Sequence, residues 1–276
     1  MRRARCGMPL AHTEQLDDRE GILHRLWIYT NYDCSLSCSY CVAESFVGAE
    51  RKGLTLPQVC RLIDEAVEMG MTELFITGGE PFILHDIFTM LRYGLERMRV
   101  TVLSNGILLK GQRLQQLKML PYHDGLTIQI SLDGSNAAIH DFYRGAGSWQ
   151  KAIDAIGRLK AEDFHVRLGT TQTPENSQDL AAMCRLHRAL GIPDEDHIIR
   201  PLVRRGFSAK GMAISLPALE PEVTVNRDGV YWHPVATDSD LLITPHIFPL
   251  REAVEQIKEI RESLLMVTGG AASRFR

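Results

Sequence analysis

The chain has 276 residues, and what it lacks narrows its class early. No apolar run approaches the roughly 18 residues that a membrane-spanning helix needs, so helical spans are excluded. There is no basic excess. Lys and Arg number 31 against 34 Asp and Glu, giving a net charge of −3 and none of the electrostatic footprint of a nucleic-acid binder. The start, Met1-Arg-Arg-Ala-Arg-Cys6, is basic, but no apolar core of signal-peptide length follows it. A cytoplasmic protein is therefore expected, in a compartment that keeps thiols reduced and available to metals. Cysteine is scarce: six in all and none after Cys184. Cys6, Cys60 and Cys184 are scattered, and Cys60 and Cys184 sit in helical patterns, which reads as small buried hydrophobes. Internal repeats and low-complexity linkers are also missing.

The other three cysteines are concentrated. Cys34-Ser-Leu-Ser-Cys38-Ser-Tyr-Cys41 places thiols at i, i+4 and i+7. Three is odd and the spacings are tight, which argues against disulfides. Thiolates suit zinc and iron–sulfur clusters, and three ligands leave a coordination position open for chemistry. Zinc completed by a nearby His such as His24 and a 4Fe-4S cluster with one open iron are both compatible with the cysteines alone.

Around this loop the chain alternates strand and helix six times. Strands are expected at about 26–31, 72–77, 99–103, 126–132, 164–171 and 197–203. Apolar residues at helical spacing mark the segments between them, at 56–69, 87–98, 108–120, 149–161 and 177–190. Such alternation means an α/β fold of parallel strands covered by helices, either an open doubly wound sheet or a partial (β/α)6 TIM-like barrel. One regularity favours the barrel. A polar or Gly-rich peptide follows each strand: the cysteine loop, Gly78-Gly79-Glu80-Pro81, Ser104-Asn105-Gly106, the run ending Asp133-Gly134, and Thr171 to Asn176. In parallel α/β folds that edge carries the site. Beyond about residue 207 a small β-hairpin (223–232) and an amphipathic helix (247–264) are expected. The division is thus a tail at 1–25, a core at 26–206 and an extension at 207–276.

With a 4Fe-4S cluster on Cys34, Cys38 and Cys41, each rim group has a plausible partner on a nucleoside amino acid. The Gly78-Gly79 backbone can approach closely because it has no Cβ, and Glu80 adds charge for an ammonium. Asn105, Ser131 and Asp133 suit ribose hydroxyls and a carboxylate, and Tyr40 suits an aromatic base. Taken singly, GGEP, Asn105-Gly106 and Asp133-Gly134 are also good turns.

Together, CxxxCxxC with an aromatic before its last Cys, GGEP, SNG and SLDG resemble the radical S-adenosylmethionine superfamily. The nearest resemblance is to the branch of molybdenum-cofactor biosynthesis protein A and the SPASM or twitch-type maturases, and it covers residues 26–205. It implies a partial six-stranded barrel, a 4Fe-4S cluster, and reductive cleavage of S-adenosylmethionine to a deoxyadenosyl radical that abstracts a substrate hydrogen. It further implies an electron donor such as flavodoxin or ferredoxin. By the same resemblance Cys34, Cys38 and Cys41 match the cluster ligands, Gly78, Gly79 and Glu80 the methionine-group motif, and Asn105, Ser131 and Asp133 the ribose and carboxylate contacts.

The departures shape the substrate expectation. Where relatives carry an auxiliary-cluster cysteine after a stretch like Glu222 to Pro234, this chain has His233, so a cluster-free, twitch-like extension is expected. Residues 1–25 are too short for a leader-binding domain, which favours a small-molecule substrate over a peptide. A maturase helped by a separate recognition protein and a non-enzymatic zinc-bound scaffold are the alternatives. Further candidates for the site are His140 and Arg144 in IHDFYRG, Arg200 and Arg204 near the sixth strand, and His233 and His246 near the mouth. Asp141 reads with the first two as a capping or salt-bridge cluster, and Arg200, Arg204 and Arg205 read as a solvated basic loop.

Overall fold

The computed structural model describes residues 23–268, so the tail expected at 1–25 and the chain end lie almost wholly outside the described residues. Six parallel strands are present: β1 (Arg25–Tyr29), β2 (Glu73–Thr77), β3 (Arg99–Ser104), β4 (Leu126–Ser131), β5 (His165–Gln172) and β6 (His197–Pro201). The helices between them are α1 (Leu56–Glu68), α2 (Ile87–Leu95), α3 (Gly111–Lys118), α4 (Ala137–Arg144), α5 (Ser148–Ala161) and α6 (Leu180–Ala189). Local chemistry sets several ends. Thr55 and Gln58 form a capping box at α1, with Pro57 in the first turn. Asn136 caps α4, a short helix that apolar periodicity did not reveal.

Strand order is β6-β5-β4-β3-β2-β1, with each neighbouring pair parallel. This is the partial barrel, and the sheet does not close. Past β1 it continues into the extension: β7 (Val223–Asn226) pairs parallel to β1, and β8 (Gly229–Tyr231) and β9 (Leu242–Thr244) follow antiparallel. The hairpin is therefore part of the barrel sheet, and β9, three residues long, was not anticipated. The β7–β8 turn is held by Asn226 Oδ1, which accepts from the N–H groups of Asp228 at 2.7 Å and Gly229 at 3.0 Å. Finally α7 (Leu250–Thr268) returns over α1, burying Leu250, Val254 and Ile257. Burial of each such side chain contributes about 1.5–3 kcal/mol.

Residues alternate along each strand between two environments. Leu26, Ile28, Leu74, Ile76, Val100, Val102, Ile128, Ile130, Val166 and Leu168 join the main core under the helices. Their neighbours Trp27, Tyr29, Thr77, Leu103, Gln129, Ser131, Gly169 and Arg200 face a cavity inside the curl of the sheet. Trp232 is 1% exposed and donates to the Leu219 carbonyl at 3.1 Å. Trp149 is only partly buried and donates to the Gly134 carbonyl.

Candidate functional site

The site is built from the C-terminal ends of the strands. After β1 the chain turns back on itself: the Cys34 N–H donates to the Phe46 carbonyl at 3.2 Å, and the Cys41 N–H to the Cys38 carbonyl at 3.2 Å. The Arg51 guanidinium bonds the Asp33 carboxylate at 2.9 Å and pins the base of the loop. The peptide after β6 supports its far side. Phe207 N–H donates to the Cys41 carbonyl at 3.1 Å, and a Cβ on Gly206 would lie 2.2 Å from that oxygen. All three cysteines are partly buried free thiols and line the cavity. Burial pushes the Cys34 thiol up to about 12 and raises that of Cys38, which Arg144 partly offsets.

Their spacing in space bears on which group they fit. Among the described residues only Cys184, His187 and His197 bring three metal-ligand atoms within 4.8 Å of one another. His24, the suggested fourth zinc ligand, sits before β1 at the opposite end of the barrel, 3.8 Å from Glu73. Three soft donors on one loop, open to a cavity and without His24, suit a cluster with one coordination position left open.

Gly78 and Gly79 form the next wall. Besides lining the cavity, they let the chain approach the end of β1. A Cβ on Gly78 would lie 2.4 Å from the Asn31 carbonyl oxygen, and one on Gly79 would lie 2.1 Å from that of Asp33. Gly78 also has φ +138°. The backbone thus approaches the strand-1 exit, which Gly79 N–H and Glu80 N–H bond at 2.7 and 2.9 Å.

Glu80 itself does not line the cavity. Its buried carboxylate accepts from Phe82 N–H at 3.1 Å, Asn105 N–H at 2.9 Å and the Ser104 hydroxyl at 2.9 Å, tying the ends of β2 and β3 together. All three donors lie inside the protein, so the carboxylate is engaged at the strand ends and not at the cavity, where an ammonium contact was expected. Burial raises its pKa to about 7. A carboxyl raised in the folded state binds a proton there that the unfolded chain has released. Stability is therefore full below the unfolded value near 4.5 and is lost as pH rises through 7, at up to about 1.4 kcal/mol per pH unit. The difference between thermal melts of the wild type and Glu80→Gln across pH 4.5–7.5 should show this slope, with the wild type losing ground as pH rises.

Asn105 lines the cavity and makes the turn as well. Its Oδ1 accepts from Ile107 N–H at 3.0 Å, while its Nδ2 donates to Ser35 at 3.0 Å and to the Cys34 sulfur at 3.7 Å. Ser131, at the end of β4, also lines the cavity. Asp133 does not. Its carboxylate accepts from Tyr40 Oη, Arg144 Nε and Thr171 N–H, and it is 1% exposed. It orients Tyr40 and Arg144, which do reach the cavity, so direct ligand contact by Asp133 is replaced by support of its neighbours. His140 is buried behind it and accepts from Asp133 N–H at 3.0 Å, with burial lowering its pKa to about 4. Asp141, from the same motif, accepts from Gly147, Ser148 and Trp149 and links α4 to α5.

The basic group near β6 divides three ways. Arg200 lines the cavity. Arg204 is exposed and away from it, which corrects its candidacy. Arg205 clamps Asp238, Asp240 and the Ile214 carbonyl. His233 lines the cavity, buried, with Nδ1 accepting from Val235 N–H at 3.0 Å and burial lowering its pKa to about 4. His246 is exposed and outside it. Sequence reasoning missed Trp27, Tyr29, Gln129 and Glu222. Trp27 Nε1–H donates to Glu222, and Tyr29 Oη to the Pro234 carbonyl at 2.7 Å. The signal was the polar or aromatic member of each alternating strand pair.

A curled parallel sheet with three thiols, a glycine strap and polar strand ends on one cavity defines a cofactor-dependent α/β-barrel enzyme. The chain belongs to the Radical SAM superfamily, whose family model matches residues 28–187. The family uses a 4Fe-4S cluster and S-adenosylmethionine.

Among curated proteins it is similar to the AdoMet-dependent heme synthase of Methanosarcina barkeri, at 30% identity over 57% of this chain and 45% of that protein. The mycofactocin maturase MftC of Mycolicibacterium smegmatis is 30% identical over 58% of this chain and 40% of its own length. The subtilosin biosynthesis protein AlbA of Bacillus subtilis is 30% identical over 57% and 35%. The chain thus spans less than half the length of these relatives. Among solved structures, anSMEcpe with bound AdoMet has a TM-score of 0.68 at 13% identity over 87% of this chain and 83% of that one. Streptococcus suis SuiB bound to S-adenosylmethionine has 0.59 at 18% over 71% and 44%. Both likenesses concern the fold.

Proposed function

We propose that Cys34, Cys38 and Cys41 hold a 4Fe-4S cluster and that the chain uses S-adenosylmethionine to abstract hydrogen from a small molecule bearing a carboxylate or phosphate. The observation that carries this reading is convergence. The cysteine loop, the Gly78-Gly79 strap, Asn105 and Ser131 come from the ends of four adjacent strands and line one cavity. When bound, the cluster and S-adenosylmethionine supply reductive cleavage to a 5′-deoxyadenosyl radical, with the electron coming from a donor such as flavodoxin or ferredoxin. The residues do the rest. Tyr40 and Asn105 flank the loop, Arg144 offers a cation fixed by Asp133, and Gly78 and Gly79 present backbone to the cavity.

Arg200 supports the anionic substrate. Its guanidinium reaches the cavity, and no hydrogen bond or ion pair joins it to another described side chain. Burial pulls its pKa down, and the nearest acid, Glu222, already bonds Trp27 and Arg25. A partly buried cation of this kind gains from an anionic ligand. One charge-assisted bond is worth about 1.5–3 kcal/mol, so Arg200→Gln should raise the KM for an anionic substrate roughly 10- to 100-fold at unchanged iron content.

The first test is anaerobic reconstitution, iron and sulfide analysis, and chromatography for 5′-deoxyadenosine after dithionite and S-adenosylmethionine. About four irons per chain and slow deoxyadenosine release support the reading; zinc or no metal, with no cleavage, overturns it. A second reading, maturation of a peptide with a separate recognition protein, is favoured by the similarity to MftC and AlbA. Acceleration of deoxyadenosine release by peptides but not by small anions would select it.

A further inference from the structure

On the helix side of the sheet, away from the cavity, α6 and β6 bring together three potential ligands that the radical chemistry does not use. Cys184 and His187 share one face of α6, and His197 opens β6. One ligand atom from each lies within 4.8 Å of the others. None of the three lines the cavity.

The hydrogen bonds around the two imidazoles fix which nitrogen carries the lone pair. His187 Nδ1–H donates to the Ile192 carbonyl at 2.8 Å, so Nε2 carries the lone pair. That Nε2 is fully buried and makes no hydrogen bond; its nearest polar neighbour is Asp194 Oδ1 at 3.6 Å. A buried polar nitrogen left in this state needs an explanation, and a metal ion is one. The His197 tautomer is set by Thr170. The Thr170 hydroxyl gives its single hydrogen to the Leu132 carbonyl at 2.6 Å, so at 2.8 Å it must accept from His197 Nε2–H. His197 Nδ1 is then the lone-pair nitrogen. Each ring thus has one N–H anchored to oxygen and its lone pair on the other nitrogen, the tautomeric arrangement of metal-bound histidines.

We propose that Cys184, His187 and His197 form a site for one zinc-class divalent cation, separate from the cysteine loop and filled when Cys184 is reduced. Cys184 is disulfide-bonded, so its sulfur becomes a ligand only after that bond opens. With a phosphine as reductant, two thiols form while phosphorus takes the oxygen of one water molecule. The Cys184 thiol then releases its proton to solvent as the sulfur–metal bond forms. One thiolate and two imidazoles suit zinc, with a fourth position for water or Asp194. The ion would staple α6 to the edge strand β6, which carries Arg200.

The test uses the full chain, phosphine-reduced without oxygen, in two forms: with its cluster reconstituted, and with Cys34, Cys38 and Cys41 all changed to Ser so that the cysteine loop cannot take zinc. Zinc is added, the excess is removed, and bound metal is measured against a chromophoric chelator. One zinc per chain is expected in both forms and none in the oxidised protein. Cys184→Ser and His187→Ala should each weaken binding at least about 100-fold. Thr170→Val should weaken it about 10- to 100-fold by freeing the His197 ring, and Thr170→Ser should restore it. Cys184 is only partly buried, so its variant remains informative if His187→Ala does not fold. Zinc absent from both reduced forms, equal in the oxidised and reduced protein, or unchanged in Cys184→Ser would overturn the proposal.

Discussion

The Cys38→Ala chain is expected to fold as the wild type does, to lose its iron, and to release no 5′-deoxyadenosine above background. Cys38 sits mid-loop and partly exposed, with no sulfur hydrogen bond to a neighbouring residue, so losing its side chain costs stability about 1 kcal/mol or less. For a chain of this size that is a Tm change of about 2–4 °C. The effect on the cofactor should be far larger. Two thiols remain on the loop, and the cavity lining contains no cysteine besides the three of the loop. Iron per chain should fall from about four to well below one after identical reconstitution. Cys60→Ala is the control. Cys60 lies on α1, outside the cavity, and its loss should leave iron and cleavage at wild-type levels. Full turnover and a full iron complement in Cys38→Ala would remove this cysteine from the ligand set.

What could be read from the sequence divides along physical lines. The six strand–helix units were legible because each strand ends in a peptide that cannot continue a strand, and those peptides proved to share one rim. The cysteine loop, Gly78, Gly79, Asn105 and Ser131 followed directly. What escaped were properties of direction and register. Glu80 and Asp133 belong to the right motifs, yet each turns its carboxylate into the protein, where backbone N–H donors from a neighbouring strand end wait. Those donors belong to segments some 25 and 38 residues away, which no local pattern exposes. Likewise Arg200 and Arg204 are four apart but lie on a strand and beyond it, so one enters the cavity and the other meets solvent. Trp27 and Glu222 meet only because β7 joins β1, and the hairpin was expected in an extension and not as part of the barrel sheet. Cys184, expected as a small hydrophobe, is disulfide-bonded beside two histidines brought together by the crossover from α6 to β6.

The second large effect is structural, at Gly79. Changing it to Ala should lower stability by about 3–5 kcal/mol and the Tm by roughly 6–20 °C, and abolish deoxyadenosine formation in whatever folds. The reason lies in what the new methyl meets. It would sit 2.1 Å from the Asp33 carbonyl oxygen, 2.7 Å from the Asp33 carbonyl carbon and 2.9 Å from that of Tyr32. All three are backbone atoms, so no side chain can swing away, and the clash must be relieved by moving the chain. Two backbone bonds oppose that movement, Gly79 N–H to Asn31 O at 2.7 Å and Glu80 N–H to Asp33 O at 2.9 Å. Asp33 immediately precedes Cys34, so any shift is passed to the first cysteine of the loop. Gly70→Ala provides the contrast. A Cβ there meets nothing within 4 Å, so only its φ of +83° is penalised, at about 1–2 kcal/mol. If Gly79→Ala melted no lower than Gly70→Ala and kept its iron, the strap and the cysteine loop would not be coupled through Asp33. If it melted lower and lost iron together, one backbone contact would be shown to hold both the fold at the strand ends and the geometry of the cofactor site.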